Sequence, residues 1–337
     1  MIFIKYFLLA FLLSNIFLLI AIYIFPKIGL LDFPEKYGLK RKKLPYPGGI
    51  IFWLLSFFII LIDYKFFNLF FALLLLGAVS FFDDRKQISA IMRFFIHFVI
   101  ATFIFFQVTK IDFIGNPFSS FCTNCQENFY LANYSIISFL FTIFWIVLLQ
   151  NALNFFDGIR GLTVGVSGVG FLTLGILGIA KPELYFDPNH TSTTIANFYL
   201  AGLCTGGFFY FWKNKIILGD TGSQILGFLL AILSIFSGAK IATTLLVLSL
   251  PILDAGVVIF RRIFLDKKSP FQGDLKHLHH NLSKKLGEKN TALLLIFLSS
   301  MLGGIAVFFQ SFQKMIALIF ALMAILILDI WAGYFKK

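Results

Sequence analysis

Apolar runs of about 17 to 25 residues recur along the whole 337-residue chain, each long enough to cross a hydrocarbon core of roughly 30 Å. Only 13% of the residues are charged, whereas an ordinary soluble domain has about 25%. The sequence therefore predicts an all-α polytopic membrane protein, a bundle of about 11 transmembrane helices. The expected spans are residues 2–25, 46–62, 66–82, 93–109, 134–152, 161–180, 194–212, 221–238, 240–262, 291–309 and 314–335. The first run lacks the small-residue cleavage site of a signal peptide, so we interpret it as a helix.

The positions of lysine and arginine predict the orientation of these spans, because short cytoplasmic loops are enriched in both residues. With the N-terminus outside, all but six of the 28 basic residues fall on the cytoplasmic side. The six exceptions are Lys5, Lys65, Lys110, Lys181, Lys240 and Lys314. The net charge of +12 thus mostly reflects topology, with some attraction to membrane lipids, and no nucleic-acid partner is expected. No segment resembles a separate soluble domain, so residues 1–337 are expected to form one integral membrane domain.

The three cysteines carry little information about function. Cys122 and Cys125 form a CxxC in a loop predicted to be external, and Cys204 lies inside a span. A single CxxC without further ligands is weak evidence for zinc, and an oxidising exterior permits a disulfide. Both the bridged and the free state of this pair remain open.

Five polar stretches fall at predicted cytoplasmic ends of spans. They are residues 32–49 (DFPEKYGLKRKKLPYPGG), 81–86 (FFDDRK), 150–162 (QNALNFFDGIRGL), 215–227 (KIILGDTGSQILG) and 267–282 (KKSPFQGDLKHLHHNL). Segments that are distant in sequence would therefore meet at one face of the membrane. The sequence predicts a single polar site there.

The acidic pair Asp83 and Asp84 has two interpretations. A carboxylate at a helix end is usually a solvated cap, but two adjacent carboxylates repel each other. A bound metal ion or a positioned substrate explains such a pair better. Because Arg85 and Lys86 can also neutralise it, the pair alone is ambiguous.

The GDTGS turn at residues 219–223 is ambiguous in the same way. Asp220 or Thr221 can be a simple N-cap of the apolar helix that follows. The glycines also let backbone amides approach phosphate oxygens at a helix N-terminus, where the helix dipole favours anions. Together with the acidic pair, this turn indicates a phosphate or metal site.

The remaining polar residues have both structural and functional interpretations. Asn151, Asn154 and Asp157 lie near one helical face and can form hydrogen bonds between helices or bind a ligand. Asp254 lies well inside a span, where an ionisable group is a functional candidate, and Pro251 predicts a break in that span. The HLHH run at residues 277–280 lacks cysteine partners for zinc, so protonated or hydrogen-bonding histidines over phosphate are favoured.

Taken together, these motifs resemble the polyprenyl-phosphate N-acetylhexosamine-1-phosphate transferases, also called glycosyltransferase family 4. The resemblance rests on FFDDRKQISAIMR, NALNFFDGIRGL, LGDTGSQILGF, PILDAGVVIFRR and DLKHLHHNL, in the order of the family. The D-x-x-HLHH form at residues 274–280 resembles the branch that starts O-antigen, enterobacterial-antigen or teichoic-acid linkage synthesis. The resemblance implies an enzyme of the cell (inner) membrane with a cytoplasmic active site, and a homodimer is one expected assembly.

The reaction implied by this resemblance is transfer of N-acetylhexosamine 1-phosphate from a UDP-sugar to polyprenyl phosphate, with release of UMP. The implied cofactor is Mg²⁺, with Mn²⁺ as an alternative, bound by Asp220 and Asp84. Asp83, Asp84 and Asp220 are the implied catalytic residues. The implied substrate-binding residues are Asn151, Asn154, Asp157, Arg160, Arg93, His277, His279 and His280.

Arg160 departs from the family pattern. The stretch normally reads DGIDGL or DGLDGL, and Arg160 stands in place of the second Asp, which is associated with the uridine end of the donor. An anion that accepts hydrogen bonds is thus replaced by a cation that can only donate them. Three explanations stay open: a neighbouring residue reads uracil, the donor differs, or the protein is catalytically silent, and retained transfer with altered base or sugar selectivity is favoured. A transporter or flippase of lipid-linked sugars is a further alternative, although such proteins place polar sites near the bilayer midplane between repeats.

Overall fold

The computed structural model describes residues 1–37, 42–119, 125–182, 190–238, 240–267, 269 and 277–332, and it is predominantly helical. The described helices are α1 (Ile2–Ile24), α2 (Gly49–Ser56), α3 (Leu69–Lys86), α4 (Ala90–Gln107), α5 (Ser135–Phe156), α6 (Leu162–Ala180), α7 (His190–Trp212), α8 (Gly219–Phe236), α9 (Ile241–Val247), α10 (Ser249–Phe260), α11 (Leu278–Leu286), α12 (Glu288–Phe308) and α13 (Ser311–Ala332). Short 3-10 turns occupy Phe25–Ile28, Pro34–Tyr37, Phe57–Leu61 and Tyr64–Phe66, and a π-helical turn occupies Arg261–Leu265. Two strands, β1 (Phe113–Gly115) and β2 (Asn128–Tyr130), pair in antiparallel fashion between α4 and α5.

Seven helical segments in the described part of the chain are long and apolar enough to cross a membrane, or eight if a bent pair counts as one span. They contain α1, α4, α5, α6, α8, α12 and α13, and the bent pair is α9 with α10 and the π-helical turn. The predicted spans 46–62, 66–82 and 194–212 are also helical, as α2 with its 3-10 extension, α3 and α7. These three helices are too short or not apolar enough to count as complete crossings by length and hydropathy. The structure therefore agrees with the polytopic helical class, but the count of eleven spans does not follow from it.

Helix α8 lies at the centre of the bundle, and almost every one of its residues is buried. It packs against α5, α3, α2 and α6. A Cβ added at Gly227 would lie 2.6 Å from the carbonyl oxygen of Leu149, so glycine is needed where α8 crosses α5. Polar contacts also join the helices: Gln224 Oε1 accepts from Ser80 Oγ at 2.9 Å and lies 2.8 Å from His97 Nε2. These contacts fix the position of the N-terminal end of α8.

The predicted break near Pro251 is confirmed. Helices α9 and α10 meet at a bend of 77°, and Pro251 lies in the first turn of α10, where a missing backbone N–H is tolerated. In a continuous helix, residue 251 would donate its N–H to the carbonyl of Val247, but proline has no N–H. Ser299 Oγ of α12 donates to that carbonyl instead, at 2.6 Å. A side chain from a neighbouring helix thus satisfies the backbone group that proline leaves unpaired.

The CxxC loop is only partly described. Cys125 is disulfide-bonded, Cys204 is free and buried, and Cys122 lies outside the described residues. The bridge between the two CxxC cysteines therefore stays a prediction.

Candidate active site

The first turn of α8 is held by a carboxylate from another helix. Asp84, near the end of α3, accepts hydrogen bonds from the backbone N–H groups of Asp220 at 2.8 Å and Thr221 at 3.0 Å. It also accepts from the hydroxyls of Thr221 and Tyr46, each at 2.5 Å. A helix N-terminus has unpaired N–H groups and favours an anion. Asp84 therefore acts as a cap for α8 across the helix packing interface.

Glycines allow the LPYPGG segment to approach this turn closely. The N–H groups of Gly48 and Gly49 donate to the carbonyls of Ile217 at 2.6 Å and Leu218 at 2.8 Å. Gly219 has a φ of +79°, and a Cβ there would lie 3.0 Å from an oxygen of Asp84. The left-handed backbone and the close approach both favour glycine at this position. The loop thus fixes Tyr46 beside Asp84.

Arg93 joins the acidic pair to the GDTGS turn. Its Nη1 atom lies 3.0 Å from an oxygen of Asp83 and 3.0 Å from an oxygen of Asp220. The other oxygen of Asp83 accepts from the N–H of Ile88 at 2.5 Å, and the other oxygen of Asp220 accepts from Asn154 Nδ2 at 3.0 Å. Helices α3, α4, α5 and α8 therefore meet at Asp220.

Asp157 completes a group of four carboxylates. It follows the last residue of α5 and lies outside the membrane-spanning helices. Burial, together with the charges of Asp220 and Asp84, raises the pKa of the Asp157 carboxyl to about 8. The group consists of Asp83, Asp84, Asp157 and Asp220, and Arg93 is a cation in contact with it. Even with Asp157 protonated, as a pKa of about 8 implies at pH 7, the other three carboxylates can carry more negative charge than Arg93 balances, which favours a further cation.

The histidine run packs on the chain segment that carries Asp157. His277 Nδ1 lies 3.0 Å from an oxygen of Asp254, whose other oxygen accepts from the N–H of Leu278 at 2.8 Å. Asp254 thus caps α11 in the way that Asp84 caps α8. The rings of His277 and His279 contact Phe155 and Phe156. We call residues 277–280 the histidine arm.

The surroundings of the histidine arm favour the neutral imidazole form of His279 and His280. Burial, followed by the charges of His280 and His277, lowers the pKa of His279 well below its ordinary value. Burial also lowers the pKa of His280. At pH 7 these two side chains are therefore neutral, which favours hydrogen bonding over protonation among the two roles expected from the sequence.

Arg160 forms an ion pair with a residue that the sequence motifs did not include. Its Nε atom donates to Glu288 Oε2 at 2.6 Å. Both residues line a cavity of about 200 Å³, together with Asp157, Gly158 and Leu218. The cavity therefore connects Arg160 to the carboxylate group at the start of α8.

The carboxylate oxygens of Asp220 and Asp84 are suitable ligands for a magnesium ion that also binds a substrate. Among the described residues, no group of three or more His, Cys, Asp or Glu side chains is placed to hold a metal ion by itself. Mg²⁺ is usually held by one or two carboxylates together with substrate phosphates, so a complete protein cage is not required. Asp220 is 33% exposed and keeps lone pairs beyond its two hydrogen bonds. Asp84 accepts four hydrogen bonds, which use its four lone-pair positions, so it must release one to bind a metal.

Most of the predicted site residues lie in two contacting groups. Asp83, Asp84, Arg93, Asn154, Asp157 and Asp220 surround the start of α8, and His277, His279 and His280 form the histidine arm. Asn151 donates instead to the carbonyl of Val147 in its own helix at 2.7 Å. The Asp274 end of the last motif lies outside the described residues. Sequence reasoning missed Tyr46 and Glu288 as individual site residues: Tyr46 lies within the polar stretch 32–49 without being singled out, and no local pattern marks Glu288.

Comparison with known proteins identifies the family. The model of Glycosyl transferase family 4 matches residues 66–238, which include the carboxylate group and Arg93. The chain belongs to glycosyl transferase family 4. The family predicted from the motifs is therefore confirmed, and the histidine arm lies beyond the matched segment of this family.

Individual proteins that are similar to this chain agree with the family assignment. A "probable undecaprenyl-phosphate N-acetylglucosaminyl 1-phosphate transferase" of Bacillus subtilis (strain 168) is 28% identical over 81% of this chain and 75% of its own length. An undecaprenyl-phosphate alpha-N-acetylglucosaminyl 1-phosphate transferase of Salmonella typhi is 27% identical over 88% and 81% of the two chains. The protein of that name from Escherichia coli (strain K12) is 27% identical over 87% and 79%.

Proposed function

We propose that the protein transfers N-acetylhexosamine 1-phosphate from a UDP-sugar to polyprenyl phosphate of the undecaprenyl type. The products are polyprenyl-diphospho-sugar and UMP, and the lipid product starts a cell-surface glycan such as O-antigen or lipopolysaccharide. One observation carries this proposal: Asp83, Asp84, Asp157 and Asp220 surround a helix N-terminus in a membrane-embedded member of glycosyl transferase family 4. The names of the relatives support the acceptor and the sugar class.

The reaction requires little proton transfer. A phosphate oxygen of the acceptor bonds to the sugar-bearing phosphorus of the donor, and the bond from that phosphorus to the bridging diphosphate oxygen breaks. UMP leaves with that oxygen and its electron pair. The acceptor has a second pKa of about 6, so it is largely a dianion at pH 7. A general-base role for Asp83 or Asp84 is therefore secondary to positioning and charge stabilisation.

Asp220 is the leading residue to hold Mg²⁺, or Mn²⁺ in its place, with Asp84 as the second proposed ligand. The bound cation supplies charge neutralisation at the diphosphate oxygens. Asn154 and Arg93 each hold one oxygen of Asp220, which orients its carboxylate. Asp83 orients Arg93 from the other side.

The remaining proposed roles concern the donor. Asn154 and Asp157 belong to the donor site, with Asn151 one turn before Asn154 as a further substrate-binding residue, and the histidine arm contacts the diphosphate through hydrogen bonds. Arg160, paired with Glu288 in the cavity beside Asp157, contacts the nucleoside end. Because this pair presents both donors and an acceptor, it can form hydrogen bonds with the edge of a base.

The proposed topology places the site at the cytoplasmic face of the cell membrane. The site groups lie where α3 and α5 end and where α4 and α8 begin. We call this end of the bundle the site face. Most lysines and arginines of the sequence fall on this side of the expected topology. Eleven spans with an external N-terminus, a single domain over residues 1–337 and a homodimer complete this proposal.

The decisive experiment is a transfer assay with purified protein. The reaction contains magnesium, undecaprenyl phosphate and a panel of nucleotide-linked N-acetylhexosamines, and both products are measured. We expect release of nucleoside monophosphate in equal amounts with formation of the lipid-linked sugar. Movement of lipid-linked sugar across proteoliposomes without nucleotide release would instead identify a flippase, and neither activity would identify a silent family member.

A further inference from the structure

A second cavity lies at the end of the bundle opposite the site face, and its volume is about 530 Å³. The β1–β2 hairpin, the end of α6, the turn between α8 and α9 and the start of α13 form its walls. Helix α8 begins at the candidate active site and ends at this cavity. Its 18 residues separate the two sites by about 27 Å, at roughly 1.5 Å per residue.

Three lysines meet in this cavity. Lys181, Lys240 and Lys314 line its wall, and Lys181 and Lys240 lie close enough to Lys314 for their charges to interact with its ammonium group. Lys314 Nζ also donates to Thr243 Oγ1 at 2.9 Å, which fixes its direction. Glu127 supplies one carboxylate to the lining. Among the described residues that line the cavity, positive charge therefore exceeds negative charge, and the cavity is suited to an anion.

An apolar groove of about 430 Å³ lies next to the cavity. It follows α12 and α13, borders Leu250 of the broken span, and shares Phe309 with the cavity. Apart from Gln313, the residues that line the groove are apolar. In a bilayer, lipid hydrocarbon chains surround such a surface, and one of them can lie in the groove in van der Waals contact with its walls.

We propose that the cavity and the groove together bind one anionic lipid. Its phosphate lies among Lys181, Lys240 and Lys314, and one of its hydrocarbon chains follows the groove between α12 and α13. Because the cationic cavity and the apolar groove are adjacent at Phe309, a lipid, which has both a phosphate and a hydrocarbon chain, is favoured over a free phosphate ion. The site is independent of the transfer reaction, because it uses different residues at the other end of the bundle.

The test is lipid retention measured by native mass spectrometry. Protein is exchanged into micelles that contain equal amounts of phosphatidylglycerol and phosphatidylcholine. We expect the wild type to retain one phosphatidylglycerol and no comparable phosphatidylcholine. Lys181→Gln/Lys314→Gln should lower that retention at least about tenfold, because each lysine near a lipid surface contributes about fivefold. Lys5→Gln removes one positive charge, as Lys181→Gln alone does, from an exposed position expected on the same side of the membrane, and it should retain the lipid.

A steric variant tests the groove separately. Ala317→Trp fills the groove and leaves the three lysines in place, so it should also displace the lipid. Equal retention by the double lysine variant, or equal retention of phosphatidylcholine, would refute the site. Displacement of the lipid by millimolar inorganic phosphate would assign the cavity to a free anion and refute the lipid.

Folding of each variant is checked by monodisperse elution. If the double variant fails this check, the single variant Lys181→Gln decides the outcome. Lys181 follows the last residue of α6, so its substitution changes no residue inside a helix and should not disturb folding. Unchanged lipid retention in a folded Lys181→Gln protein would then count against the proposal. Because the measurement needs no turnover, its result is separate from that of the transfer assay.

Discussion

The carboxylate of Asp84 accepts a hydrogen bond from the backbone N–H of Asp220 at 2.8 Å, so these two acidic residues lie together at the N-terminus of α8. Asp84 is fully engaged by donors from α8 and Tyr46, whereas the Asp220 side chain remains 33% exposed. The contacts therefore separate two roles. Asp84 holds the start of the helix, whereas the Asp220 side chain keeps oxygen atoms exposed, so Asp220 is the leading proposed metal ligand and Asp84 the second.

Asp220→Asn should abolish magnesium-dependent transfer and leave the protein folded. The substitution removes a charged metal ligand but retains an oxygen that can accept from Asn154. The measurement is the transfer rate as a function of magnesium concentration, together with the thermal unfolding midpoint. Asp112→Asn removes a partly exposed carboxylate that is paired with Lys110 outside the site, and it serves as the matched control. Near-normal activity of Asp220→Asn at limiting magnesium would remove Asp220 from the metal site.

Asp84→Asn should lower both activity and stability. We expect a loss of at least a hundredfold in kcat/KM, about 3 kcal/mol of barrier. The amide N–H₂ of the new Asn would also face N–H donors of α8 that it cannot accept from, so the unfolding midpoint should fall, in contrast to Asp220→Asn.

Asp83→Asn should lower the activity by a similar factor, because it releases Arg93. Recovery of either variant at high pH would contradict the positioning role and support a general base.

The meeting of the polar motifs at one face could be predicted from the sequence. Successive spans run in opposite directions, so motifs at the end of α3, the end of α5 and the start of α8 fall on the same side. The break near Pro251 was also predictable, because proline has no N–H to donate within a helix. Both features depend on local chemistry that the sequence displays directly.

Other features depended on tertiary contacts and could not be predicted. Asp84 has the sequence context of a cap or ligand, and only packing of α3 against α8 shows that it caps another helix. Glu288 lies 128 residues from Arg160, and no local pattern links the two. The count of eleven spans stays a prediction: seven or eight of the described helical segments are long and apolar enough to cross a membrane, and hydropathy alone cannot distinguish a short apolar helix such as α2 from a complete crossing.

Gly158→Ala should disrupt the docking of the histidine arm. A Cβ at this position would lie 2.1 Å from Nε2 of His279 and 2.7 Å from Cε1 of His280, so the arm must shift. We expect at least about a tenfold loss of kcat/KM, on the order of 1.4 kcal/mol of barrier. Gly256→Ala is the matched control, because a Cβ there has no atom within 4 Å apart from its own helix backbone. Equal activity of the two variants would show that the contact of the arm with Gly158 has no role in transfer.

Arg160→Asp should change nucleotide selectivity more than it changes the fold. Arg160 donates to Glu288 in the cavity beside Asp157, and it can only donate hydrogen bonds, whereas the N3–H of uracil needs an acceptor. We expect wild type and Arg160→Asp to differ at least about tenfold in relative kcat/KM for UDP- and dTDP-linked N-acetylhexosamines. Glu288→Gln in both backgrounds shows how much of the difference arises from repulsion between the two carboxylates. Strict, high activity of the wild type with UDP-N-acetylglucosamine that Arg160→Asp leaves unchanged would exclude a recognition role for this residue.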